Sequence, residues 1–92
     1  MKITIITVVR NDVGHLESTM QSVLQQTLSE IEYLVIDGDS SDGTVELIKK
    51  YSDKLTRWIS EPDKGVYDAM NKGVRLANGE WICMMNSELK DL

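Results

Sequence analysis

The sequence predicts an α/β protein in which a parallel sheet of about four strands is covered by helices on both faces. β-branched apolar runs at residues 3–9 and 32–36 are typical of strands buried on both faces. Between such runs, apolar residues recur at helical spacing. Because strands and helices alternate along the chain, the crossovers are predicted to be right-handed and the strands parallel.

The first half of the chain supplies two strands and two helices. Strand 3–9 is followed by the polar turn 11–14, which leads into the first helix. Strand 32–36 ends in an acidic turn, after which Ser41 or Asp42 is predicted to cap a second helix that reaches residue 51. The apolar positions that mark the inner face of the first helix are Leu16, Met20, Val23 and Leu24.

The second half repeats this order. A short strand is predicted over 56–60, then a third helix that ends at the helix-stop pair Asn78-Gly79, then a last strand over 81–85. Cys83 lies in that last apolar run and is predicted to be a buried thiol rather than a nucleophile. The apolar positions that mark the third helix are Val66, Ala69, Met70, Val74 and Ala77.

Composition excludes several classes of function. With 92 residues the chain is one domain at most. A formal charge of −5 and scattered basic residues argue against nucleic-acid binding. No apolar stretch approaches the ~20 residues that span a bilayer, and no signal peptide is evident. A cytoplasmic protein is therefore expected, peripheral to the inner membrane at most in a longer form.

Polar loops follow all four predicted strands, at residues 7–11, 37–42, 61–65 and 86–88. In an open parallel sheet these loops meet outside the carboxyl ends of the strands, where ligands bind. We therefore expect a crevice for a nucleotide-like ligand, although the acidic turn by itself is also consistent with simple helix capping. The first loop lacks the glycines of a dinucleotide fingerprint, so diphosphate charge would need a divalent cation.

Four segments closely resemble the amino-terminal half of family 2 glycosyltransferases of the GT-A fold: TIITVVRN at 4–11, LVIDGDSSDGT at 34–44, SEPDKGVYDAMNKG at 60–73 and ANGEWI at 77–82. The resemblance implies a Rossmann-like GT-A half-domain over residues 1–92 that binds a nucleotide-sugar donor. It implies a transferase that moves a sugar from a nucleotide-diphosphate donor to an acceptor hydroxyl in bacterial polysaccharide or glycan assembly. The expected donor is a UDP-sugar.

The resemblance also assigns site residues. Asp37 matches the acid that recognises the base edge, and Glu88 stands at the first position of the metal motif, so that it is implied as a ligand of Mn²⁺ or Mg²⁺. The catalytic base is expected in the acceptor half of such enzymes, so residues 1–92 alone are predicted to be inactive. The positions matched to nucleotide binding are Thr7, Val9, Asn11, Asp37, Asp39, Asp63, Lys64, Gly65, Asp68 and Asn71.

Two other functions remain open on the sequence alone. One is a non-catalytic α/β module that keeps the fold and binds a partner. The other is a receiver-like signalling domain, which also carries acids at strand ends, although the loop at 61–65 argues against it. Whatever the function, the apolar strand 81–85 is predicted to leave an unpaired edge, and a homodimer through this edge is expected.

Overall fold

Four parallel strands form one sheet in the computed structural model, which describes residues 2–25 and 30–86. The elements in chain order are β1 (Ile3–Val9), α1 (Val13–Leu24), β2 (Ile31–Asp37), α2 (Thr44–Tyr51), a 3₁₀ turn (Ser52–Lys54), β3 (Arg57–Ser60), α3 (Val66–Leu76) and β4 (Trp81–Met84). The strand order is β3-β2-β1-β4, with every neighbouring pair parallel. The predicted fold class is confirmed.

The two central strands, β1 and β2, are buried on both faces because a separate apolar core lies on each side of the sheet. Odd-numbered strand residues such as Ile5 and Val35 pack with α1 and α2. Even-numbered residues such as Ile6 and Leu34 pack with α3. Alternate side chains of a strand point to opposite faces, so a strand covered on both sides carries apolar residues at odd and even positions alike.

Helix α3 lies very close to β1, and Gly73 permits this approach. A Cβ atom added at Gly73 would lie 2.6 Å from Cγ2 of Ile6. The absence of a side chain at this position therefore sets the distance between α3 and the sheet.

A buried glutamate holds the turn between α3 and β4 against the amino-terminal end of the sheet. One carboxylate oxygen of Glu32 accepts hydrogen bonds from the Thr4 hydroxyl and the Asn78 N–H, each at 2.7 Å, and the other accepts from Asn78 Nδ2 at 3.1 Å. The Gly79 N–H donates to the Thr4 hydroxyl at 2.8 Å. Burial disfavours the charged form, but the hydrogen bonds from Asn78 and Thr4 outweigh burial and lower the pKa of Glu32.

Three sequence predictions about the second half are wrong. Val66 and Val74 are exposed rather than on the inner face of α3, and Cys83 is exposed rather than buried. The helix also ends at Leu76, before the Asn78-Gly79 pair. Cys83 is exposed because β4 is an edge strand of the sheet. Val66 and Val74 lie outside the apolar cluster that α3 forms with the sheet, and the helix stops because Ala77 already has an extended backbone.

Candidate functional site

The loops at the carboxyl ends of β1 and β3 enclose a small pocket with the start of α3. The pocket has a volume of about 130 Å³. The residues that line it are Val8, Val9, Arg10, Asp63, Gly65, Val66, Ala69 and Asn86. It lies where the fold predicts a ligand site, and it brings together residues from three of the four predicted loops.

Asp37, the last residue of β2, organises the loops around this pocket. Its side chain is fully buried. The carboxylate accepts hydrogen bonds from the Ser40 hydroxyl at 2.6 Å, the Ser40 N–H at 3.0 Å and the Ser60 hydroxyl at 2.7 Å. A buried charge requires this kind of pairing. Because the three donors come from the loop after β2 and from the end of β3, Asp37 joins these two segments.

The loop after β1 is joined to the same network. The Asn11 N–H donates to the Ser40 hydroxyl at 2.8 Å, and the Ser41 N–H donates to Asn11 Oδ1 at 2.9 Å. Asn11 has a left-handed backbone with φ of 49°, which asparagine tolerates better than most residues. The loops after β1 and β2 are therefore held together by reciprocal hydrogen bonds.

Asp42 connects the beginnings of two helices. Its carboxylate accepts hydrogen bonds from the Thr44 hydroxyl, from the Thr44 N–H at 3.1 Å and from the Val13 N–H at 3.1 Å. The Thr44 hydroxyl, followed by these N–H groups, holds the pKa of Asp42 below its usual value in spite of partial desolvation. Asp42 thus accepts hydrogen bonds from the first residues of both α1 and α2. The N-cap position of α2 is occupied by Gly43 rather than by the predicted Ser41 or Asp42.

Asp63 lies directly over the end of β2. Its Oδ1 accepts a hydrogen bond from the Gly65 N–H at 3.0 Å. Its Oδ2 would be 2.6 Å from a Cβ atom placed on Gly38, so Gly38 makes room for this carboxylate. Gly65 has φ of 122°, a conformation that side chains disfavour. Two glycines therefore allow the loop after β3 to fold back onto the sheet edge.

Asp68, in the first turn of α3, accepts a hydrogen bond from the backbone just before the helix. Its Oδ2 accepts a hydrogen bond from the Lys64 N–H at 2.9 Å. A carboxylate in the first turn also interacts favourably with the helix dipole. Two other predicted nucleotide-binding residues nearby, Lys64 and Asn71, are exposed. Asp68 therefore stabilises the helix start that forms one side of the pocket.

The other predicted nucleotide-binding residues occupy different environments. Val9 lines the pocket, whereas Asp39 is exposed and has φ of 63°. Thr7 is fully buried and its hydroxyl is hydrogen-bonded to the Tyr33 hydroxyl at 2.8 Å. Burial raises the pKa of Tyr33 to about 12. The Thr7 hydroxyl is thus already paired within the core on the α1 side.

Two polar residues that line the pocket were not assigned to the site from the sequence. Arg10 is the first residue after β1, and Asn86 is the second after β4. The Oδ1 atom of Asn86 is buried and has no hydrogen-bond partner among the described residues. Both follow the carboxyl end of a strand, which is a sequence feature typical of ligand sites. The other residues of the same loops share this feature, so it did not identify these two.

The described residues do not by themselves form a metal site. Across residues 2–25 and 30–86, no group of three or more His, Cys, Asp or Glu side chains could hold a metal ion. The predicted ligand Glu88 lies outside the described residues, and its assignment stays a prediction.

Nearly the whole chain matches one protein family. Residues 4–89 match the model of the glycosyl transferase family 2. An uncharacterized glycosyltransferase of Mycobacterium tuberculosis is 38% identical over 86 residues, which are 92% of this chain and 33% of that protein. A PGL/p-HBAD biosynthesis glycosyltransferase of Mycobacterium bovis is 33% identical over 79% of this chain and 30% of its own length. The chain thus spans a third or less of these relatives.

Solved structures share the fold. The S. aureus TarS 1-349 structure in complex with UDP-GlcNAc has a TM-score of 0.85 and 25% identity, and the match covers 95% of this chain and 26% of TarS. The mannosyltransferase PcManGT from Pyrobaculum calidifontis, in complex with GDP-Man and Mn²⁺, has a TM-score of 0.85 at 22% identity, over 94% of this chain and 27% of its own.

In the described part of this chain, no helix has both the length and the apolar character that crossing a bilayer requires.

Proposed function

The chain belongs to glycosyl transferase family 2, and on this basis we propose that it carries the donor-binding part of a glycosyltransferase. The proposed reaction moves a sugar from a UDP-sugar to an acceptor hydroxyl during the assembly of a bacterial polysaccharide or glycan. The observation that carries the proposal is the pocket between the β1 and β3 loops, at the sheet edge where nucleotides bind in open α/β folds. The complex of TarS with UDP-GlcNAc supports the donor class, and the similarity to a PGL/p-HBAD biosynthesis glycosyltransferase supports a role in glycan assembly.

The size of the pocket suggests which part of the donor it takes. Sites that enclose a whole small molecule are typically ~300–1,000 Å³, whereas this pocket has about 130 Å³. It therefore accommodates one ring of the donor, and we assign it to the base. Arg10 offers a planar guanidinium that can stack on a base, and Asp63 Oδ2 offers an acceptor for a base N–H.

Asp37 has a different part in this proposal. Its oxygens already accept three hydrogen bonds, so it holds the loops that flank the pocket. A direct contact between Asp37 and the base edge, as the resemblance implies, would require the residues that bury its side chain to move when the ligand binds.

The experiment is an NMR titration of the ¹⁵N-labelled protein with UDP, with GDP as the comparison and with and without Mn²⁺. Amide resonances of Arg10, Asp63 and Gly65 should shift with UDP, while those of Asn78 at the opposite end of the sheet should not. A Kd near 1 mM corresponds to only about 4 kcal/mol, so millimolar ligand is required. If saturating UDP with Mn²⁺ shifts none of the pocket resonances, the proposed function is wrong.

A non-catalytic interaction module is the second candidate. The exposed apolar side chains of β4, Trp81 at 59% and Ile82 at 44%, favour it because such residues commonly mark contact surfaces. The same titration separates the two functions, since a pure interaction module would leave the pocket resonances unchanged.

A further inference from the structure

Lys72, on α3, lies beneath the loop that forms one wall of the pocket. Only 13% of its side chain is exposed. Its ammonium group donates a hydrogen bond to the Pro62 carbonyl at 2.8 Å and contacts a carboxylate oxygen of Glu61 at 3.1 Å. An oxygen of Asp68, one helical turn away, lies at 4.0 Å. A largely buried ammonium is thus surrounded by oxygen atoms from the loop and from the helix.

These contacts connect α3 with residues 61–62, immediately before Asp63. The same loop is attached to the sheet through the Glu61 N–H, which donates to the Asp37 carbonyl at 3.1 Å. Between the two attachments the chain turns so that Asp63 Oδ2 lies over Gly38. The ammonium of Lys72 therefore holds the segment from which the Asp63 carboxylate projects.

We propose that Lys72 is a positioning residue for the donor pocket. By holding the Pro62 carbonyl and the Glu61 carboxylate against α3, it fixes the position of Asp63 over Gly38 and so the shape of the pocket that receives the base. Lys72 does not line the pocket itself. This inference rests on the proposed function for its meaning, but its structural part can be tested without any ligand.

A lysine is well suited to this position. Its flexible stem packs against apolar surface while the ammonium presents three donors at its end. The partners are a neutral carbonyl and carboxylates, so removal of the charge would leave the Pro62 carbonyl without its donor. The loop would then be free to move away from α3, and Asp63 would lose its fixed approach to the sheet.

The test uses Lys72→Met, which keeps the length of the stem and removes the ammonium, with Lys72→Arg as the conservative variant. Lys50→Met is the matched control, because Lys50 is exposed on α2. In the free protein, Lys72→Met should shift the amide resonances of Gly38, Asp63 and Gly65 and accelerate their hydrogen exchange. Lys50→Met should leave them unchanged.

UDP affinity is the second measurement. Lys72→Met should weaken UDP binding roughly tenfold, the scale of one lost charge-assisted hydrogen bond, and Lys72→Arg should recover a large part of that loss. In an Asp63→Ala background the effect of Lys72→Met should fall below roughly twofold, since the residue that Lys72 positions is then absent. A merely structural contribution to stability would instead reduce affinity equally in both backgrounds.

The outcomes are distinguishable. Unchanged resonances at Gly38, Asp63 and Gly65 in Lys72→Met, or equal losses of affinity in both backgrounds, would overturn the inference. If Lys72→Met does not fold, Glu61→Gln, which changes a half-exposed partner, should give smaller shifts at the same three amides, and no shift there would also overturn it. Failure of the parent protein to bind UDP would refute the proposed function, while the ligand-free resonances would still decide the role of Lys72.

Discussion

Replacement of Glu32 by glutamine tests whether a buried charge holds β4 and its preceding turn onto the sheet. Glu32 is 6% exposed and accepts three hydrogen bonds, two of them from Asn78 in the α3–β4 turn. Glutamine keeps the shape and one acceptor oxygen. Its NH₂ group, however, faces the Asn78 Nδ2 donor, so the Asn78 amide must turn over to restore the third hydrogen bond.

The size of the effect follows from the hydrogen bonds. Bonds to a charged acceptor contribute about 1.5–3 kcal/mol each and neutral ones about 0.5–1.5 kcal/mol. The loss over three bonds is partly offset because a neutral amide is less costly to bury than a carboxylate. We therefore expect Glu32→Gln to lower the free energy of unfolding by about 1–2 kcal/mol, with a decrease in Tm of about 4–8 °C for each kcal/mol in a domain of this size.

The pH dependence supplies the decisive assay. Because the folded protein lowers the pKa of Glu32 below its ordinary value of 4.5, its stabilisation is present above that value and is lost as pH falls through the folded-state pKa. Urea unfolding of both proteins at pH 7 and at successively lower pH should show the difference shrinking under acidic conditions. Glu80→Gln, at an exposed position beside the same turn, should change stability by less than about 0.5 kcal/mol. A Glu32→Gln effect no larger than this control, or one that persists unchanged after Glu32 is protonated, would refute the reasoning.

Three further predictions concern packing, association and activity. Gly73→Ala should destabilise the protein by about 1–3 kcal/mol in urea unfolding although alanine favours helices, because its Cβ would lie 2.6 Å from Ile6, and a stabilised variant would contradict the observed contact. The parent protein should dimerise through β4 in sedimentation at micromolar concentration, whereas Ile82→Lys should remain monomeric, and a monomeric parent would remove the case for edge pairing. A polypeptide of residues 1–92 should release no nucleotide from UDP-sugars above background, since it spans 33% of the 38%-identical mycobacterial relative, and turnover that depends on Asp63 would contradict this expectation.

The choice of substitution at the free edge of β4 depends on which of its backbone N–H groups face away from β1. Trp81 and Met85 both donate their N–H groups to carbonyls along β1. Alternation along a strand therefore turns the Cys83 amide toward β1 as well and leaves the Ile82 and Met84 amides facing outward. Ile82→Lys places a charge beside an outward-facing amide and so disfavours the pairing of a second strand there, whereas a proline at Cys83 would break the pairing with β1.

The order of elements could be predicted because it depends on local patterns. β-branched runs marked β1 and β2, and helical spacing marked α1, where Leu16 and Met20 are fully buried. The exposure of Cys83 could not be predicted in this way, since it depends on which strand forms the edge of the sheet. An apolar run looks the same in a central strand and in an edge strand.

The site was predictable in location but less so in detail. Polar residues at strand ends correctly indicated the edge that carries the pocket. The hydrogen bonds of Asp37 with Ser40 and Ser60 could not be foreseen together, because Ser60 is distant in sequence and approaches only through the parallel pairing of β2 with β3. Spacing reveals which residues face one edge, whereas the partner of each polar atom is decided by tertiary contacts.

The charges around the pocket favour its proposed assignment to the nucleoside end of a donor. Of the residues that line the pocket in the described part of the chain, Arg10 is the one cation and Asp63 the one acid, so their charges nearly cancel. A diphosphate that approached a protein of net charge −5 would require additional positive charge. A balanced pair of charges beside apolar side chains is instead the environment that suits a flat, neutral ring with hydrogen-bonding edges, which agrees with the small volume of the pocket.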